Sequence, residues 1–304
     1  MASHRTSIHR APAHRAPIRF VSSRAAIAAI ATTLCAAAPA QPALEAGAAA
    51  TAPIRLVYDF YAAGLHLATL ETTATLTGER YEIETRARST GLADSFVRAT
   101  LESRATGDIG PRGPVTDRFS TFSDSRFGVR ELEMQRRDDG TFDVTADPEL
   151  EPQQAAALRS GLANGTLDPL TASIYSALRP DGTACTEDVR VFDGRRVFRL
   201  DFARAGTDTL TPGSQAVFAG DAVRCQLRYV PVAGQSRDWE LQQARDPSPP
   251  AALWLAPFEM EGTPAILMLP VRMQFEGTWG TALAHLKSAE IGGFQMIGTA
   301  PQVR

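Results

Sequence analysis

From Ile54 onward, apolar residues return at every second position in stretch after stretch, and that period admits little besides antiparallel sheet. Ile54, Leu56, Tyr58 and Phe60 alternate with Arg55, Val57, Asp59 and Tyr61. Tyr81, Ile83, Thr85 and Ala87 alternate with Glu82, Glu84, Arg86 and Arg88. Successive side chains of a strand point to opposite faces, so each stretch reads as a half-buried strand with one dry and one charged face. Similar stretches occur around residues 99–105, 119–123, 128–136 and 141–145, with Asp138-Asp139-Gly140 a hairpin signal between the last two. Phe198, Leu200 and Phe202, then Val223, Cys225, Leu227 and Tyr229, then Val271, Met273 and Phe275 continue the pattern. Residues 277–291 read as a closing strand or strand pair.

One segment breaks the period. Leu167, Leu170, Ile174 and Leu178 fall three, four and four residues apart and form an apolar stripe along one helix face. Thr166 or Asp168 can cap its start, Pro169 fits the first turn, and Pro180-Asp181-Gly182 stops it. A weaker helix is expected from Pro152 to Leu162. A stripe of this kind packs on a sheet or meets a partner.

The first forty residues differ in kind. Five arginines and no acidic residue precede the apolar run Ala25–Ala38, and Ala38-Pro39-Ala40 supplies small residues for cleavage. That is the pattern of a secretory signal peptide, with a disordered Ala-rich terminus or an uncleaved anchor as alternatives. The run is shorter than the roughly 20 residues a membrane span needs. Cys35 raises a lipid anchor, but the preceding Leu34 is bulky for that motif. The expected division is a signal peptide over 1–40, a flexible lead-in over 41–53, a single β-rich domain over 54–291 and a loose C-terminal tail over 292–304. The expected location is the periplasm, with the chain soluble after cleavage near Ala40.

Removing the leader leaves 26 basic against 34 acidic residues, a net charge of −8, because the leader holds five of the 31 basic residues and none of the 34 acidic ones. That balance argues against nucleic acid as a partner. Two cysteines remain, Cys185 and Cys225. An oxidising compartment favours one disulfide between them, with two buried thiols the alternative.

Catalytic signatures are sparse. Three of the five histidines lie in the leader, leaving His66 and His285. HExxH, GxSxG, Walker and Rossmann motifs are all missing. A triad using either histidine, or a pair of carboxylates acting on an envelope polymer, stays open as a hydrolase reading. No cofactor and no metal are expected.

Asp193-Gly194-Arg195-Arg196 reads first as a hairpin turn. Its functional reading is that Arg195 or Arg196 holds an anionic group with its planar fork. Tyr58, Phe60, Phe198, Phe202 and Tyr229, with Trp239, Trp254 and Trp279, either line an apolar cavity or fill a core.

The run 165–171, then Cys185, then Val191 through Phe198 around the Asp-Gly-Arg-Arg turn, then Ala219 through Cys225, then Tyr229 through Gly234 resembles the bacterial "domain of unknown function 3108" family, over about residues 54–290. Tyr58 with Gly64 resembles the family's opening strand and turn. The resemblance implies export, one disulfide and a mainly β fold: a long curved antiparallel sheet, spiral or open-barrel-like, wrapped around a central α-helix. It supplies no catalytic residue. The expected function is non-catalytic: binding a lipidic or hydrophobic ligand, or a partner protein, in support of the cell envelope. The alternatives are a scaffold docking another envelope protein and the hydrolase above. No transmembrane segment is expected in the mature chain.

Overall fold

The structure is a computed structural model that describes residues 52–96, 98–178, 184–259, 266–277, 280–292 and 294–297. The signal-peptide reading, the lead-in up to Thr51, Trp279 and the last seven residues lie outside these.

The elements are β1 (Ala52–Ala62), β2 (Leu65–Thr77), β3 (Arg80–Ser89), α1 (Gly91–Phe96), β4 (Thr100–Gly110), β5 (Gly113–Ser125), β6 (Gly128–Arg136) and β7 (Phe142–Asp147). Then follow α2 (Pro152–Arg159), α3 (Pro169–Ala177), β8 (Val189–Phe192), β9 (Val197–Leu210), β10 (Gly220–Ala233), α4 (Arg237–Arg245), β11 (Ala251–Glu259), β12 (Ile266–Gly277), β13 (Gly280–Ile291) and β14 (Phe294–Ile297).

Among the described residues, all fourteen strands belong to one antiparallel sheet, ordered β7-β6-β5-β4-β3-β2-β1-β13-β12-β11-β10-β9-β8, with β14 paired to β13. Hairpin neighbours account for most of the order, as short connections between alternating strands dictate. The exception is β1, which pairs with β2 on one side and β13 on the other. Strand β13 serves two partners on its second edge. Its first half pairs with β12, and Ser288–Ile291 pair with Ile297–Phe294 of β14. The stretch read as a loose tail therefore begins with a paired strand.

The sheet is open. Strands β7 and β8 end the order, yet their side chains meet: the Phe142 and Phe192 ring centroids are 5.9 Å apart. Such a tilted pair adds about 0.5–1.5 kcal/mol beyond its burial. Phe192 and Met134 of neighbouring β6 are fully buried, so this contact belongs to the main core.

Helix α3 starts where the sequence places it. Asp168 is its N-cap and accepts from the amides of Leu170 and Thr171, at 2.8 and 3.0 Å, and Pro169 opens the first turn. It ends one residue early, because Leu178 leaves helical geometry to form an antiparallel bridge with Leu267. Just before the helix, Leu167 forms a parallel bridge with Val191 on the free edge of β8. The helix packs on β4, β5, β8 and β12. None of the described helices is long and apolar enough to cross a membrane.

Candidate functional site

An apolar cavity of about 240 Å³ lies between α3 and the sheet. Its roof is one helix face: Leu170, Ser173, Ile174 and Ala177, at the three- and four-residue spacing that aligns side chains along a helix. Its walls come from alternate strand positions, among them Leu56 and Tyr58 of β1, Leu70 and Ala74 of β2, Ile83 of β3, and Leu267 and Met273 of β12. The volume exceeds the ~150 Å³ of a dry cavity that accepts benzene and approaches the ~300 Å³ low end of small-molecule pockets.

One lining residue carries a buried polar atom. Tyr58 is 3% exposed, and its hydroxyl, closed off from the cavity, has no hydrogen-bond partner among the described residues. Its cross-strand neighbours are Leu70 and Leu286, which offer none. Burial pushes the phenol well above its ordinary pKa, so it stays protonated.

A buried polar cluster anchors the roof. Asp168 is fully buried and accepts at Oδ2 from Thr116 Oγ1 (2.6 Å) and from Thr171 Oγ1, in addition to the two helix amides. With its own proton given to Asp168, Thr171 Oγ1 accepts from the Tyr81 hydroxyl at 2.5 Å, and the Val115 carbonyl lies 3.2 Å from the same hydroxyl. Burial pushes the Asp168 carboxyl up, while the hydrogen bonds from Thr116, Thr171 and Leu170 pull it back in part. Gly107 makes room for this cluster: a Cβ there would sit 2.0 Å from the Val115 carbonyl oxygen and 2.5 Å from Tyr81 Oη. The cluster ties α3 to β3 and β5 and fixes the roof over the cavity.

With the cavity and its anchor defined, the chain can be set beside known proteins. Residues 57–287 match the family described as "Protein of unknown function (DUF3108)". The chain belongs to that family. A crystal structure of a beta-barrel-like protein of domain of unknown function DUF1849 from Brucella abortus is also similar, at 12% identity and a TM-score of 0.42, covering 79% of this chain and 97% of that one. No curated protein matches.

The residues singled out in this DUF3108 chain do not converge on one place. Cys185 and Cys225 form a disulfide, with Cα atoms 5.8 Å apart, amid a small apolar cluster of Ala184, Leu255 and Met268. Of the proposed cavity aromatics among the described residues, only Tyr58 lines the cavity under α3. Phe60 packs against the main core, and Phe198 and Phe202 join a separate cluster with Val189 and Val191. Trp254 donates from Nε1 to Asp208 Oδ2 at 2.8 Å, beneath the Arg272 guanidinium.

The Asp-Gly-Arg-Arg turn is used in packing. Gly194, at φ +86°, lies so close to Leu132 of β6 that a Cβ would meet it at 2.4 Å. Arg195 donates to the Pro148 carbonyl (2.7 Å) and to Gln154 Oε1 (3.3 Å), tying the β8–β9 turn to α2. Arg196 pairs with Asp193 at 2.9 Å. Arg196 also borders a second groove, about 450 Å³, with Tyr229, Trp239 and Phe275. Tyr229 and Trp239 meet edge to face at 5.8 Å, and Gln235 donates to the Tyr229 hydroxyl at 3.1 Å.

The two histidines lie near one carboxylate. His66 Nε2 is 3.2 Å from Asp59 Oδ1, 3.1 Å from the Ala68 carbonyl and 3.3 Å from Thr69 Oγ1. His285 is the cross-strand neighbour of Asp59. Thr69 donates to Asp59 at 2.9 Å rather than being held for deprotonation by the imidazole, so this group lacks the nucleophile–base–orienter order of a triad. Burial, and then the Arg272 charge, push His285 below its ordinary value.

In the sequence Ile54, Leu56, Ile83 and Met273 were read only as strand positions, and Leu70, Ala74 and Leu267 were not singled out. Leu70, Ala74, Leu267 and Met273 are ordinary strand residues, and only the alternation marks which face they occupy. Nothing local says that a gap remains above them.

Proposed function

We propose that this DUF3108 protein is a non-catalytic, exported binding protein that holds a hydrophobic, lipid-like molecule beneath α3, with the curved sheet wrapped around that helix, in support of the cell envelope. The observation that carries this reading is the apolar cavity between α3 and the sheet. A closed core would fill such a gap, because each unfilled methyl-sized volume costs stability. Residence in the periplasm is supported by the basic, apolar leader pattern and by the Cys185–Cys225 disulfide, since disulfides persist in oxidising compartments.

Native mass spectrometry of protein purified without detergent tests the reading. One small apolar molecule per chain, identifiable in a lipid extract and displaced by n-octane, is the expected result. A bare polypeptide mass that n-octane does not change would overturn it.

A second reading, docking of another envelope protein, is favoured by the groove at α4, where Tyr229 and Phe275 are 38% and 37% exposed. Aromatic residues of this kind anchor interfaces. Crosslinking in cells separates the two: a specific protein adduct through this groove, unchanged when the cavity is blocked, favours docking.

A further inference from the structure

One end of the sheet gathers apolar side chains that the cavity does not use. Strands β1 to β6 run antiparallel, so the β1–β2 turn, the β3–β4 connection with α1 and the β5–β6 turn all emerge at that end. Phe127 stands in the β5–β6 turn and is 76% exposed, and Phe96, which ends α1, is 66% exposed. Leu65, Leu101 and Val129, at the adjoining strand ends, are exposed as well. Arg126 ties the two aromatic tips together. It donates to the Phe96 carbonyl, and its guanidinium lies 5.1 Å from the centre of the Phe127 ring. Single exposed apolar residues are ordinary, but five at one end of a sheet form a patch of the kind that marks an interaction surface.

The charge at this end is opposite to that of the chain. Residues 61–67, 88–100 and 123–130 hold four arginines and two aspartates, whereas the whole chain has a net charge of −3. Arg88 pairs with Glu71 at 2.7 Å, and Asp94 accepts from Ser89 at 2.7 Å. Arg98, Arg126 and Arg130 are exposed, and among the described residues no carboxylate pairs with them. A guanidinium forks onto phosphate oxygens, and each arginine at an anionic lipid surface strengthens binding about fivefold. A phenyl beside it gains by leaving water for the boundary between headgroups and acyl chains.

We propose that this end of the sheet docks on an anionic phospholipid bilayer, with Phe96 and Phe127 entering the interface and Arg98, Arg126 and Arg130 meeting the lipid phosphates. A bilayer answers both features at once, since it sets an apolar layer directly beneath a plane of phosphates. A second copy related by a two-fold axis would instead set the same three arginines against each other. Leu70, which lines the cavity, continues through its cross-strand neighbours Ala87 and Leu101, so an apolar row runs from the cavity to the docking end. The docking itself requires no ligand and stands apart from the hydrophobic-ligand reading.

Vesicles of phosphatidylcholine, with and without phosphatidylglycerol, test this on the full chain carrying Phe127→Trp. The readout is quenching of the added tryptophan by phospholipids brominated near the top of their acyl chains, with wild type as the background. The basic leader is common to every variant, so quenching at the tip decides, not total binding. Quenching is expected with the phosphatidylglycerol vesicles, and raised salt is expected to weaken it. The lipid concentration for half-maximal quenching is expected to rise about tenfold or more when Arg98→Gln, Arg126→Gln and Arg130→Gln are combined, and several-fold with Phe96→Ser. A melting temperature for Phe127→Trp within about 2 °C of wild type shows that the probe reports the folded protein. A chain that sediments with vesicles while the tip stays unquenched binds through another part, and that overturns the proposal. So would equal quenching by vesicles lacking phosphatidylglycerol. Self-association without lipid that Phe96→Ser and Phe127→Ser abolish would assign the patch to a second copy instead.

Discussion

Tyr58 sits on β1 between Leu70 and Leu286, and its hydroxyl has no hydrogen-bond partner among the described residues. An unpaired buried hydroxyl is a net cost, so Tyr58→Phe is expected to stabilise the ligand-free protein by up to about 1 kcal/mol. A thermal melt of ligand-stripped protein checks this; a clear drop in melting temperature would mean that the hydroxyl has a protein partner. Asp168 gives the opposite case, a buried polar group with every oxygen engaged. Its folded pKa is raised above the unfolded value near 3.8 by burial. The folded state therefore holds the proton more tightly. That contribution to stability is full below the unfolded value and is lost as pH climbs through the folded one. Asp168→Asn should remove this dependence. Urea unfolding of both proteins from pH 3.5 to 7 should show wild-type stability falling relative to the variant as pH rises; a constant difference would contradict it. Both residues were partly legible in the sequence: Tyr58 as inward-facing by alternation, Asp168 as a cap. The cluster around Asp168 was not, because Thr116 and Tyr81 lie 52 and 87 positions away from it along the chain.

At the scale of elements, α3 is the most legible piece, since its stripe, cap and proline agree with one another. It is also where the cavity can be closed with least disturbance. Ala177 is half-buried and lines the roof. Ala177→Phe is expected to abolish uptake of n-octane while leaving the melting temperature within about 3 °C of wild type, read by calorimetry and by melting. Undiminished binding would place the ligand elsewhere. Other elements were silent for physical reasons. Strand β11 shows no alternation because it is covered on both faces: Leu253 and Leu255 join the disulfide cluster, while Ala252, Trp254 and Phe258 join the main core. Helix α4 buries none of its residues, so no apolar stripe announces it, and only Ser236, accepting from the Trp239 amide, marks its start. The aromatic residues misled for a related reason. Large side chains fill space, and Phe198 and Phe202 do so in a cluster of their own and Trp254 within the main core, while aliphatic residues leave the gap.

For the whole molecule, the class was written in the period-two pattern and the order was not. Nothing in alternation says that β1 pairs with β13, nor that Phe142 and Phe192 bring the two ends of the sheet together. Register and partner choice arise from which faces are buried once everything is assembled. The disulfide acts at this scale, joining the segment between α3 and β8 to the middle of β10 across 40 residues of chain. Cys185→Ser is expected to cost about 4 kcal/mol in the chain-entropy picture, roughly 10 °C of melting temperature. Reductant should lower wild type toward the variant and leave the variant unchanged. Equal melting in all cases would show that the bridge does not hold the fold.

The central claim is that a hydrophobic chain occupies the space beneath α3. Methyl NMR of isotope-labelled isoleucines during titration with n-octane tests it most directly. The account predicts shifts and ligand NOEs at Ile54, Ile83 and Ile174, which line the cavity, while Ile109 and Ile291 stay in place. Saturating n-octane with no change at those three methyls, or with changes centred on the groove at α4, would contradict it.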